Sequence, residues 1–217
     1  TTLFRSALHN RKIEVYALLG AVEWGYEEDG ATLLAHLEKI VQYNVQSSEK
    51  EKFDGVMLDI EPYISDSWKE NPEEYMDRYI SCMKKGYKFA QKNHLRTAIC
   101  IPRHYDNQGL TSGLEELIKE TCDEVAVMNY SCGNEIEAIR TEAALSEKYG
   151  KELHCILEFQ EVGKHGLTEN KTYRNKGIDT AKETWEKLQK EYKNINVTRD
   201  YHWSRPVREM LEEKNAD

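Results

Sequence analysis

The chain has 217 residues, 39% hydrophobic and 32% charged, with a formal net charge of -9. That is enough for one large domain or two small ones, and its apolar residues gather in short dense runs, which excludes a disordered polymer. The negative balance argues against a nucleic-acid partner, and no apolar run reaches the length of a membrane span.

In chain order, TTLFRSALHNRK carries no signal-peptide pattern and reads as the end of a helix. The run IEVYALLG, from Ile13, has the length and β-branched content of a buried strand. A helix-patterned segment, DGATLLAHLEKIVQYNVQ, follows, and then a second strand run, FDGVMLDI, from Phe53. Asn71 and Pro72 fit the N-cap and first position of the next helix, NPEEYMDRYISCMKKGYKFAQK. Strand RTAICIP, helix TSGLEELIKETC and strand EVAVMNY come next, then NEIEAIRTEAALSEKYG, read as one helix stopped by Gly150. Strand LHCILEF, helix TAKETWEKLQKEYK, with its Lys and Glu interleaved as on a solvated face, and a weaker strand run, RDYHW from Arg199, complete the pattern.

Strands alternating with helices predict βα units and a parallel sheet. Units of this size suit a (β/α)8 TIM-barrel-type fold or a doubly wound sheet; the lack of a Gly-rich loop after the first strand weakens the nucleotide-binding version. With no linker or repeat in view, residues 1–217 read as a single barrel-type domain. Six strand runs are two short of a full barrel, a deficit of about 60 residues. One reading is therefore an incomplete barrel, the chain being the C-terminal part of a larger protein. The five cysteines, Cys82, Cys100, Cys122, Cys132 and Cys155, are odd in number and fit no zinc spacing, so free thiols and a reducing, cytoplasmic compartment are expected. A secreted protein is the other reading, if the N-terminus is processed.

The stretch EKFDGVMLDIEPY raises the functional question. Side chains alternate along a strand, so Val56, Leu58 and Ile60 share one face while Gly55, Met57, Asp59 and Glu61 share the other. In a barrel this places Asp59 and Glu61 at the C-terminal mouth, where such enzymes keep their chemistry. Two adjacent acids disfavour ionising together, so one can remain protonated as a general acid while its neighbour is ionised, an arrangement suited to glycosidic cleavage.

FDGVMLDIE resembles the fourth-strand signature Asp-Gly-x-Asp-x-Asp-x-Glu of family 18 glycoside hydrolases, the chitinases and endo-β-N-acetylglucosaminidases. Asp54, Gly55, Asp59 and Glu61 match it, and Met57 occupies the place of the middle Asp. The resemblance implies that Glu61 is the general acid/base and that Asp59 orients the substrate's acetamido group, which itself attacks the anomeric carbon. MNYS is similar to the family's Met-x-Tyr-Asp: Met128 and Tyr130 match, and Ser131 replaces the Asp. Trp203 in YHWSRP stands where the family has the Trp that floors a sugar subsite, and Leu18 to Gly20 look like its third strand's end. The loss of two acids, at Met57 and Ser131, opens the alternative of a carbohydrate-binding protein without turnover.

Glu158, ending LHCILEF, fits the nucleophile position of retaining glycosidases that use two glutamates, with Glu61 as acid/base. Its ordinary alternative is a carboxylate paired with a cation such as Arg103. Tyr130 is read as facing the site, against the alternative of a core tyrosine. Trp24, Tyr63, Trp68, Tyr105 and Trp203 follow strand ends, and as a set they suit stacking on sugar rings, though each singly suits packing. His104, His154 and His202, with Asp59 and Glu61, allow a mixed metal site, but no pair has local ligand spacing. The reading that results is a glycosidase acting on an N-acetylhexosamine-containing glycan without cofactor or metal.

Overall fold

The computed structural model describes residues 2–214. The chain is α/β, with six strands among the described residues where six runs were expected, and a complete eight-stranded barrel is not formed by them. It divides into two compact units. The first comprises the chain up to Ile101 together with Asn107–Glu124, and the second comprises Pro102–Asp106 with the chain from Val125 onward.

In the first unit, β1 (Tyr16–Leu19), β2 (Gly55–Leu58) and β3 (Arg96–Pro102) run parallel in chain order. The register Tyr16–Gly55–Arg96 sends the strand C-termini to one end. Helix α1 (Thr2–His9) buries none of its residues and is held by polar contacts. Arg5 Nε donates to the Glu51 carbonyl at 2.8 Å, and His9 bonds both the Lys50 carbonyl and Asp54. Helices α2 (Ala31–Gln46), α3 (Asp66–Glu70), α4 (Pro72–Lys92) and α5 (Thr111–Thr121) follow. Helix α4 buries Met76, Tyr79, Ile80, Met83 and Ala90, an apolar stripe at helical spacing, each large side chain contributing roughly 1.5–3 kcal/mol. Pro72 opens α4 as expected, but Asn71 makes no side-chain cap and donates instead to Glu74 at 2.6 Å.

In the second unit, β4 (Glu124–Met128), β5 (Glu152–Glu158) and β6 (Val197–His202) lie in chain order, β5 and β6 parallel with Glu158 opposite His202. The segment read as one helix is two, α6 (Glu135–Ala138) and α7 (Arg140–Tyr149), because Ile139, whose side chain is completely buried, leaves helical geometry at φ -125° and ψ 19°. Gly150 ends α7 in the left-handed region, at φ 64°. Helix α8 (Ile178–Glu191) packs Trp185 against the sheet, with Nε1 donating to the Cys155 carbonyl at 2.9 Å. Tyr201 stacks on Phe159 at 5.4 Å on that same face. Helix α9 (Ser204–Lys214), which buries Pro206 and Met210, lies beyond the runs predicted from the sequence.

All five cysteines are free, four of them buried and Cys132 half-buried. No helix among the described residues is long and apolar enough to cross a membrane.

Candidate functional site

The alternation expected of β2 is observed from Val56 to Glu61, while Gly55, expected on the open face, is buried. Val56 and Leu58 are 0% and Ile60 is 1% exposed, while Met57, Asp59 and Glu61 are half-buried. The ladder runs one residue past the strand, where Asp59 N–H donates to the Leu19 carbonyl at 2.8 Å. This pairing brings the Asp59 backbone against Gly20, where a Cβ would stand 1.8 Å from the Asp59 carbonyl oxygen. Only glycine lets β1 end so close, and that approach sets the height of Asp59.

Glu61 leads into a 3₁₀ turn, Pro62–Ile64, whose Ile64 N–H donates to the Glu61 carbonyl at 3.3 Å. Pro62 is buried and its carbonyl accepts from Tyr26 Oη at 3.1 Å, which ties the turn to the Val22–Tyr26 segment after β1. The turn folds Tyr63 back so that its hydroxyl donates to Glu61 Oε2. The half-buried Asp59, whose Oδ1 is buried, the half-buried Glu61 and a phenol therefore share the C-terminal end of β2, able to orient a polar ligand and to exchange a proton with it. Met57 lies on the same face and adds no charge. Asp54 has a different task at the other end of β2: its Oδ2 accepts Val15 N–H at 2.7 Å and His9 Nε2 at 2.9 Å.

The aromatics sort by burial. Trp24 packs against His36 with ring centroids 4.5 Å apart and is half-buried. Trp68 is 2% and Tyr105 0% exposed, so these two rings serve as packing and offer no face to a ligand. Trp203, next to β6, is 46% exposed.

In the second unit, Met128 ends β4 half-buried, and the Asn129 N–H donates to the Ile156 carbonyl at 3.0 Å. The chain then turns, Ser131 N–H meeting the Asn129 carbonyl at 3.0 Å, with Tyr130 half-buried and its ring 5.9 Å from that of His202. Glu158 is 2% exposed. Its Oε1 accepts the backbone N–H of Phe159 and of Gln160, each at 2.8 Å. Its Oε2 faces His202 Nδ1 at 2.8 Å and Gln160 Nε2 at 3.3 Å. Burial pushes the Glu158 carboxyl up, but the His202 bond and the backbone donors outweigh it and hold the group below its ordinary value. The partner of Glu158 is thus His202 rather than Arg103, a pairing visible only through the β5–β6 register. Its sequence signal was slight: both residues end their strand runs, which parallel pairing sets side by side.

The histidines considered as ligands have other partners. His154 Nδ1 lies 3.1 Å from Asp200 Oδ2, and burial lowers the His104 imidazole from its ordinary value. Among the described residues no three His, Cys, Asp or Glu side chains are grouped to hold a metal ion.

No protein-family model and no curated protein matches the chain. Two solved structures of catalytic domain 2 of the Ostrinia furnacalis Group II chitinase are similar at 15% identity, one of them a mutant in complex with penta-N-acetylchitooctaose. Their TM-scores are 0.44 and 0.43, with 71% of this chain and 47% of theirs covered. The chain spans about half the length of the solved chains it matches. So remote a likeness bears on none of the site chemistry, which stands on the residues described.

Proposed function

We propose that the protein is a glycoside hydrolase acting on a glycan that contains N-acetylhexosamine, with Glu61 as general acid/base. The observation that carries this reading is the β2 terminus: Asp59 and Glu61 lie half-buried on one face while the opposite face is sealed in the core. Glu61 protonates the glycosidic oxygen as the bond to the anomeric carbon breaks. Asp59 accepts the N–H of the 2-acetamido group and turns its carbonyl oxygen onto that carbon. Water then opens the cyclic intermediate, and Glu61 takes its proton. Tyr63 holds the Glu61 carboxyl in one orientation. The condition of Glu158 favours this substrate-assisted route over a two-glutamate one, since its carboxylate is buried and already engaged by four donors.

The second reading, a carbohydrate-binding protein without turnover, is favoured by Met57 and Ser131 at positions where the resembled signature has acids. Turnover of a chromogenic N-acetylchitooligosaccharide, followed with the wild type and Glu61→Gln, separates the two. Hydrolysis that Glu61→Gln abolishes, and that a thiazoline inhibitor blocks, supports the hydrolase. Binding of the oligosaccharide without release of chromophore supports the second reading and sinks the first.

A further inference from the structure

We propose that His202 is a sugar-contacting residue of the second unit, and that Glu158 is the positioning residue that orients its imidazole toward one pyranose ring. The ligand class rests on the proposed function; the arrangement itself rests on the β5–β6 register, which sets Glu158 opposite His202.

An ionised carboxylate only accepts hydrogen bonds. Glu158 Oε2 lies 2.8 Å from His202 Nδ1, so that nitrogen carries a proton and Nε2 takes the opposite edge of the ring. The two partners differ sharply in burial: the Glu158 side chain is 2% exposed and that of His202 is 43% exposed. A pair formed only for surface charge has no need of a carboxylate buried under two backbone N–H groups and the Gln160 amide. A buried, rigidly held acceptor behind an exposed imidazole is how a ring is kept in one tautomer and one orientation for an external partner.

The surroundings indicate what that partner is. Trp203 follows directly and is 46% exposed, and the Tyr130 ring lies 5.9 Å from the imidazole with 30° between their planes. An exposed indole suits the C–H face of a pyranose, and an imidazole edge suits its hydroxyl rim, because a sugar hydroxyl both donates and accepts. Apolar surface with a few fixed polar groups is the usual make-up of a small-molecule site.

The test uses tetra-N-acetylchitotetraose as probe. Calorimetric titration should show His202→Ala weakening binding about tenfold, or about 1.4 kcal/mol. Glu158→Gln keeps the imidazole but removes the ionic acceptor. The ¹⁵N spectrum of His202 should then lose its Nδ1–H signature, with binding weakened to a smaller degree and restored in part by Glu158→Asp. If Glu158→Gln does not fold, the exposed His202→Ala variant carries the test. Equal affinity for wild type and His202→Ala, or no binding by the wild type, overturns the proposal. Cleavage of the probe by the wild type separates the two readings: if the wild type binds the probe without cleaving it while His202→Ala loses affinity, the role of Glu61 fails and that of His202 stands.

Discussion

Glu61 and Glu158 each end a strand run, and their surroundings differ in a way that one following residue explains. Phe159 and Gln160 turn their N–H groups back onto Glu158 and seal it as a buried carboxylate. Glu61 is followed by Pro62, which has no N–H to give, so the corresponding cap cannot form. The only side-chain partner described for Glu61 is a tyrosine hydroxyl, and the group stays half-exposed. Two glutamates that look alike in sequence thus become an accessible acid in one unit and an internal anchor in the other.

The comparison is broken most directly at Glu61. Replacing Glu61 by Gln is expected to lower kcat by about 10²- to 10⁴-fold with little change in Tm, the usual loss when a general acid is removed. Glu158→Ala is expected to act mainly on stability. It strands two backbone N–H groups, at about 1–3 kcal/mol each, read as a lower urea midpoint. Should Glu158→Ala abolish turnover without a stability loss, the anchor and the acid have been assigned the wrong way round.

Gly20→Ala probes how Asp59 is placed. Its Cβ would collide with the Asp59 carbonyl, so a backbone shift costing about 1–3 kcal/mol and a matching fall in activity are expected. A wild-type Tm and rate would show that the close approach is dispensable.

The pH dependences have opposite signs. The Glu158 carboxyl lies below its ordinary value of 4.5, so its stabilisation is complete above that value and is lost as pH falls through the folded one. The gap in urea midpoint between wild type and Glu158→Gln should therefore close on acidification. The smallest effect belongs to His9, raised above its ordinary 6.5 by the Asp54 hydrogen bond and then the Lys50 carbonyl. Both its ring nitrogens face acceptors, which only the imidazolium satisfies. Its contribution is complete below 6.5 and disappears as pH rises through the folded value, so amide protection factors in α1, corrected for the intrinsic base-catalysed rate, should fall on the alkaline side. Protection factors that are flat with pH would mean that Arg5 alone holds the helix.

Much of this was legible in one dimension. RTAICIP forms β3 residue for residue, Pro72 opens its helix, Gly150 closes another, and the period of two along Val56–Glu61 separates buried from half-buried side chains. These features depend on backbone sterics and local periodicity, which a short window of residues contains. The break at Ile139 is not legible because the helical period continues through it, and only the structure shows that residue outside helical geometry. Tyr105 and Trp68 were read with the exposed rings, since their sequence positions do not distinguish a buried aromatic from an open one. Chain order alone thus determined the strand-helix alternation and the face on which Asp59 and Glu61 emerge. The tertiary structure decided which carboxylate stays open. The His202 that holds Glu158 is 44 residues away along the chain, and only strand register brings the two together.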